Sequence, residues 1–86
     1  MLQNLRILLA DDEALIRMDL REMLLDAGYE VLGEASNGEE AIRLARSLKP
    51  DFVIMDVKMP VMDGLAAAQI ISADNIAPIL LLTAYS

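Results

Sequence analysis

The chain has 86 residues, of which 56% are hydrophobic and 24% are charged, a composition that supports one small packed domain and argues against disorder. Fourteen acidic and seven basic residues give a formal charge of −7. This charge makes the segment a poor binder of nucleic-acid phosphates and favours cations as ligands. A role in solubility alone explains most of these acids. The absence of cysteine and histidine excludes disulfides, thiolate chemistry and histidine-ligated metals.

The first half of the chain predicts a strand, a helix and a second strand. Residues 5–10 (LRILLA) form a short apolar run that stops at three consecutive acids, which indicates a strand. Residues 14–27 repeat apolar side chains at helical spacing, and Gly28 marks the end of that helix. The repeating apolar residues are Ile16, Leu20, Met23, Leu24 and Ala27. Residues 29–35 (YEVLGEA) alternate in polarity and predict a strand with one polar edge.

The second half continues the alternation of helices and strands. Asn37 is the expected N-cap of a helix that ends before the breaking sequence at residues 49–51 (KPD). Residues 52–55 predict a wholly apolar strand, residues 65–72 a helix of small residues, and residues 78–83 (PILLLT) a fourth strand. The order β-α-β-α-β-α-β, with largely apolar strands, predicts an α/β fold in which helices cover both faces of a parallel sheet.

Carboxylates follow the first and third predicted strands. Asp11 and Asp12 end the first, and Asp56 ends the third. Ligands of parallel α/β sheets bind beyond the carboxyl ends of the strands, so these acids meet in one crevice if their strands are neighbours. Three carboxylates repel one another and need a cation, and all-oxygen ligation suits Mg²⁺. Each acid alone is as readily a helix cap, whereas the absence of a glycine-rich loop argues against a dinucleotide site.

A combined motif runs through these segments. It consists of Asp11-Asp12, of Asp56 followed by Met59-Pro60 and Met62-Asp63-Gly64, and of Thr83-Ala84 after an apolar strand. This set resembles the receiver domain of two-component response regulators, and the resemblance covers the whole chain. It implies a flavodoxin-like, CheY-like doubly wound sheet with the strand order 2-1-3-4. It also implies that residues 1–86 are an incomplete receiver domain, β1 to β4, with the family's fifth strand and last two helices missing.

The resemblance implies a role for each acid. Asp56 matches the family's phosphoryl-accepting aspartate, which explains a carboxylate at the end of an apolar strand. Asp12 and Asp56 are implied to bind Mg²⁺ directly, and Asp11 to hold a water that binds the ion. The backbone carbonyl of Lys58 is implied as a third protein ligand. A carboxylate is chemically competent as the nucleophile, because aspartyl phosphates form in other proteins.

Four further residues match family positions around the phosphoryl group. Thr83 is implied to bond a phosphoryl oxygen, and Ala84 to leave room for the group. Lys58 and Tyr85 are implied to flank the path of the attacking water, so slow dephosphorylation is expected. Taken alone, Thr83 is also an ordinary strand residue and Lys58 a surface lysine.

The resemblance also implies partners. A sensor histidine kinase supplies the phosphoryl group, and an output module outside the segment receives the signal. Residues 13–20 (EALIRMDL) and 76–79 (IAPI) resemble receivers of the ANTAR class, which implies an RNA-binding antitermination module. No apolar run is long enough to span a bilayer and the N-terminus lacks a signal peptide's apolar core, so we expect a cytoplasmic protein without membrane contact. The fourth strand, lacking the family's fifth, is expected to be an edge that self-associates.

Two other functional classes remain open, although we expect no enzyme. A pseudo-receiver that only binds other proteins is consistent with the missing phosphate-pairing lysine of the fifth strand, but not with the intact acids. A phosphatase of the haloacid dehalogenase type needs a second aspartate two residues after the nucleophile. Lys58 occupies that position here.

Overall fold

A four-stranded parallel sheet forms the centre of the molecule in the computed structural model, which describes residues 5–82. The strands are β1 (Arg6–Ala10), β2 (Glu30–Ala35), β3 (Phe52–Asp56) and β4 (Ile79–Leu82). The helices are α1 (Ala14–Asp26), α2 (Gly38–Leu48) and α3 (Gly64–Ala73). The predicted elements are all present, and within the described residues their ends differ from the prediction by no more than one position.

The strands lie in the order β2-β1-β3-β4, and every neighbouring pair is parallel. This confirms the predicted doubly wound, CheY-like α/β sheet. Because β1 is flanked by β2 and β3, the chain leaves the end of β1 at the point where the winding direction reverses. Such a switch point opens a crevice at the carboxyl edge of a parallel sheet.

The core has two layers, one on each face of the sheet. On one face, alternate residues of β1 and β3 pack against the small and branched side chains of α2 and α3. This layer includes Leu8, Val53, Met55, Ala41 and Ile71, all of which are buried. On the other face, Ile7, Leu9 and Ile54 are covered by α1 through the half-buried side chains of Leu20 and Leu24.

Helix α1 is covered much less completely than α2 and α3. It has no buried residue, and Leu15 and Met23 are 74% and 59% exposed. By contrast, α2 begins with a well-made cap, in which the Asn37 side chain accepts the N–H of Glu40 at 2.8 Å. The Glu40 carboxylate in turn accepts the N–H of Ser36 at 2.8 Å. The sequence-based N-cap at Asn37 is therefore confirmed.

Within residues 5–82, none of the three helices combines the length and hydropathy needed to cross a membrane.

Candidate metal and phosphoryl site

Three carboxylates meet at the carboxyl edge of the sheet. Asp11 and Asp12 directly follow β1, and Asp56 is the last residue of β3. Since Ala10 pairs with Met55 in the parallel register, the two strands end side by side. One carboxylate oxygen from each aspartate lies within 4.8 Å of those of the other two. The structure thus brings together the three acids that the sequence placed at neighbouring strand ends.

Without a bound cation, the negative charges of the three clustered carboxylates repel one another. Asp11 and Asp56 are only 4% and 8% exposed, whereas Asp12 faces solvent. Burial raises the pKa of Asp11, a hydrogen bond from the Glu13 N–H lowers it, and the nearby carboxylates of Asp56, Asp12 and Glu13 raise it, with a net upward shift. A bound cation removes this repulsion, and a donor set made of oxygens fits Mg²⁺.

Asp11 is held by three hydrogen bonds, two of them to its backbone and one to its carboxylate. Its N–H donates to the carbonyl of Ala35 on β2 at 2.9 Å, and its carboxylate accepts the N–H of Glu13 at 2.9 Å. Its own carbonyl accepts a hydrogen bond from Nη1 of Arg17 at 2.6 Å. No sequence pattern indicates this last contact, because Arg17 looks like any polar residue on the exposed side of a helix.

The loop between β3 and α3 forms one wall of the site. Its turn is tight, since the N–H of Met62 donates to the carbonyl of Pro60 at 2.7 Å and Val61 adopts a φ of 68°. The carbonyl of Met62 accepts the N–H of Gly38 at 2.9 Å, which ties the loop to the start of α2. Asp63 then caps α3 by accepting the N–H of Ala66 at 2.8 Å. Pro60 and its neighbours therefore shape the loop.

Gly64 allows the start of α3 to lie directly against the end of β3. Its N–H donates to the carbonyl of Val57 at 2.7 Å. A Cβ at this position would overlap the carbonyl oxygen of Asp56 and lie 2.9 Å from both the carbonyl carbon of Asp56 and the Cα of Val57. Glycine is needed here for close approach of two backbones, and the contact fixes the main chain of the candidate phosphoacceptor.

An open depression of about 450 Å³ adjoins the acidic cluster. It is lined by Asp12 from the β1–α1 loop and by residues of the β3–α3 loop, namely Val57, Lys58, Met59, Pro60 and Asp63. Lys58 is exposed and follows Asp56 by two positions. A small charged group can therefore reach the cluster from solvent through this depression.

The remaining predicted site residues, Thr83, Ala84 and Tyr85, lie outside the described residues. The last described residue of β4, Leu82, pairs with Asp56, and its carbonyl accepts the N–H of Val57 at 3.0 Å. Within the described part, the end of β4 therefore lies beside the end of β3.

Fold and site together define a CheY-like α/β domain with an acidic pocket at the switch point of its sheet. The sequence matches the response regulator receiver domain over residues 7–86, and the chain belongs to this family. Transcriptional regulatory protein PdtaR of Mycobacterium tuberculosis is 62% identical over 81 residues, which are 94% of this chain and 40% of that protein. Chemotaxis protein CheY of Thermotoga maritima is 46% identical over 80 residues, covering 92% of this chain and 67% of CheY.

Solved receiver structures agree with the fold. The response regulator domain of Thermotoga maritima CheB superposes with a TM-score of 0.88 at 32% identity, over 94% of this chain and 61% of that one. CheY4 of Vibrio cholerae gives 0.88 at 36% identity, over 98% and 72%. These matches confirm the receiver family predicted from the sequence. The chain spans less than half of PdtaR and about two thirds of these solved receivers.

Proposed function

We propose that residues 1–86 are part of a phosphoryl-accepting receiver domain, in which Asp56 takes a phosphoryl group in the presence of Mg²⁺. The observation that carries the proposal is the convergence of Asp11, Asp12 and Asp56 at the switch point of a receiver fold. The donor is a phosphohistidine of a sensor kinase, because this chain has no histidine of its own. A small phosphodonor serves the same chemistry.

In the proposed reaction, a carboxylate oxygen of Asp56 attacks the phosphorus, the bond from phosphorus to the donor nitrogen breaks, and an acyl phosphate forms on Asp56. Asp12 and Asp56 would hold the ion directly, Asp11 would hold it through a water, and the backbone carbonyl of Lys58 would be the third protein ligand. When bound there, Mg²⁺ would neutralise charge on the phosphoryl oxygens. Gly64 holds the Asp56 backbone in place for attack.

The roles of the other residues remain part of the proposal. Thr83 contacts a phosphoryl oxygen and Ala84 leaves space for it. Lys58 and Tyr85 flank the approach of water and slow the loss of the phosphoryl group. Lys58 stands where a phosphatase of the haloacid dehalogenase type would need an acid, which supports a receiver rather than an enzyme.

The signal is proposed to act on an output module outside this segment, in a cytoplasmic protein. PdtaR is named a transcriptional regulatory protein, which supports a transcriptional output. The resemblance of residues 13–20 and 76–79 to ANTAR receivers supports an RNA-binding antitermination module. With a charge of −7, the present segment is not itself the RNA-binding part.

The Asp12→Asn variant is expected to bind Mg²⁺ at least about tenfold more weakly than the unmodified chain, because it loses a charged ligand. Isothermal titration calorimetry measures the affinity. Asp26→Asn is the matched control, since it removes the same charge at the far end of the 13-residue helix α1. Equal affinity in the Asp12→Asn variant and the unmodified chain would refute the metal site.

We further propose that the 86-residue chain associates with itself through the edge of β4 that faces away from β3. Among the described strands, β4 has β3 as its one neighbour. Leu80 of β4 is 47% exposed and pairs with Ile54, which places it on the α1 face of the sheet. Exposed apolar strand edges are templates for pairing with a second chain.

Light scattering should therefore give an apparent mass that rises with protein concentration, and Leu80→Lys should shift this rise to higher concentration. Leu15→Lys makes the same charge change on α1 and serves as the control. A chain that stays monomeric at all concentrations contradicts the proposal. If Leu15→Lys alone shifts the rise in apparent mass, the self-association surface includes α1 rather than β4.

A further inference from the structure

Arg17 connects three elements around the acidic cluster. Arg17 lies in the first turn of α1. Its Nη1 donates to the carbonyl of Asp11, the residue that follows β1, at 2.6 Å. Its Nε donates to the carboxylate of Glu34 on β2 at 3.1 Å. The side chain is only 19% exposed. A guanidinium held at both ends in this way is rigid, since its donors have a fixed planar geometry.

Arg21, one turn further along α1, provides a comparison within the same helix. Its Nε lies 3.6 Å from the other oxygen of the same Glu34 carboxylate, and its side chain is 50% exposed. Both arginines therefore pair with Glu34, and Arg17 in addition donates a hydrogen bond to the Asp11 carbonyl. The two residues carry the same charge, but Arg17 is more buried, lies closer to Glu34 and contacts the site.

The Asp11 carbonyl belongs to the peptide that joins Asp11 to Asp12. A peptide is planar, so fixing its carbonyl also fixes the nitrogen of Asp12 and the direction in which Asp12 leaves the strand. The N–H of Asp11 donates to the carbonyl of Ala35. The carbonyl of Asp11 is restrained by the hydrogen bond from Arg17. Asp12 itself is exposed and belongs to the carboxylate cluster.

We propose that Arg17 is a positioning residue of the cation site, which fixes the Asp11–Asp12 peptide so that the Asp12 carboxylate faces the same ion as Asp56. This inference rests on the proposed Mg²⁺ site. It goes beyond the proposed function by assigning a role in cation affinity to a residue that provides no ligand.

Electrostatics alone predicts the opposite effect, which makes the inference testable. Removing a positive charge beside three carboxylates strengthens their attraction for Mg²⁺. Removing the hydrogen bond lets the Asp11–Asp12 peptide reorient, so part of the binding free energy is used to order it again. A typical hydrogen bond is worth about a fivefold change in affinity. We therefore expect Arg17→Ala to bind Mg²⁺ about fivefold more weakly.

The experiment titrates Mg²⁺ into the unmodified chain, Arg17→Ala and Arg21→Ala by calorimetry, at a temperature where circular dichroism shows all three folded. Arg21→Ala removes the same charge near Glu34 and is expected to keep its affinity within about twofold. Amide NMR signals of Asp12 and Glu13 report the loop directly, and should broaden or shift in Arg17→Ala alone. Should Arg17→Ala fail to fold, Arg17→Gln keeps part of the side-chain stem and replaces it in the comparison.

The outcomes separate the inference from the proposed function. Weaker binding in Arg17→Ala with unchanged binding in Arg21→Ala supports the positioning role. Equal or tighter binding in Arg17→Ala overturns that role while leaving the metal site intact, and equal weakening in both variants assigns the effect to Glu34 instead. A chain that binds no Mg²⁺ in its unmodified form overturns the proposed site itself.

Discussion

The Asp56→Asn variant is expected to take up no phosphoryl group under conditions in which the unmodified protein takes up one. The substituted asparagine would keep the shape of the side chain but replace the nucleophilic carboxylate oxygen with an amide, which does not form an acyl phosphate. Intact-mass spectrometry after incubation with acetyl phosphate and Mg²⁺ measures the result. The expected change is complete loss of the phosphorylated species, the largest effect predicted for any single substitution here.

Asp63→Asn provides the matched control for this experiment. Asp63 lines the same depression but serves as the N-cap of α3, and asparagine caps a helix as well as aspartate does. This variant should therefore keep its phosphorylation. Phosphoryl uptake that persists in Asp56→Asn would show that another residue is the acceptor. Loss in both variants would indicate that the reaction depends on the charge or the fold of the loop.

The convergence of the three acids was predictable because it depends on two properties that a sequence displays. The apolar runs mark the strands, and the position of a carboxylate directly after a run places it at a carboxyl edge. The remaining step, adjacency of β1 and β3, came from the resemblance to the family and not from periodicity. The structure confirms this adjacency through the parallel register from Ile7–Phe52 to Ala10–Met55.

The contacts of Arg17 were not predictable from the pattern, since helical spacing does not show where a long polar side chain ends. Its six-residue separation from Asp11 matches no local capping motif, and its second partner, Glu34, is 17 residues away. Contacts of this type depend on how α1 lies across β1 and β2. The sequence also did not show how exposed α1 is to solvent, because the same apolar spacing fits a helix that is half covered and one that is fully covered.

The sequence likewise did not show which backbone atoms lie against the glycines. Gly64 and Gly38 could be explained as a turn former and a helix start. In the structure, a Cβ on Gly38 would overlap the carbonyl oxygen of Met62, and one on Gly64 would overlap that of Asp56. Both glycines are required by close backbone approach across the sheet edge, which is a tertiary property. Neither has a positive φ, so local conformation gives no signal of the requirement.

Gly64→Ala should consequently destabilise the domain by about 2–3 kcal/mol, the upper part of the usual range for overpacking a filled site. Helix propensity alone would predict a gain of roughly 0.5–1 kcal/mol, since alanine is the better helix former. The sign is reversed because the added methyl group meets backbone atoms of Asp56 and Val57, which cannot rotate away as a side chain can. Relief requires α3 to move away from β3, which weakens the Gly64 hydrogen bond to the Val57 carbonyl. Urea unfolding monitored by circular dichroism measures the free energy of unfolding.

Gly33→Ala is the control that separates backbone overlap from a general effect of adding a methyl group to a glycine, here the half-buried Gly33 of β2. A Cβ at Gly33 would lie 3.1 Å from Cδ1 of Leu48 and 3.8 Å from Cδ1 of Leu8, both of them ends of flexible side chains. Small adjustments of these side chains relieve the contact, so the expected change stays within about 1 kcal/mol. Because the Gly64 contact lies on the main chain of Asp56, Gly64→Ala should also weaken Mg²⁺ binding, whereas Gly33→Ala should not. Equal stability of Gly64→Ala and the unmodified chain would show that α3 can shift without cost, and that the backbone contact does not hold Asp56 in place.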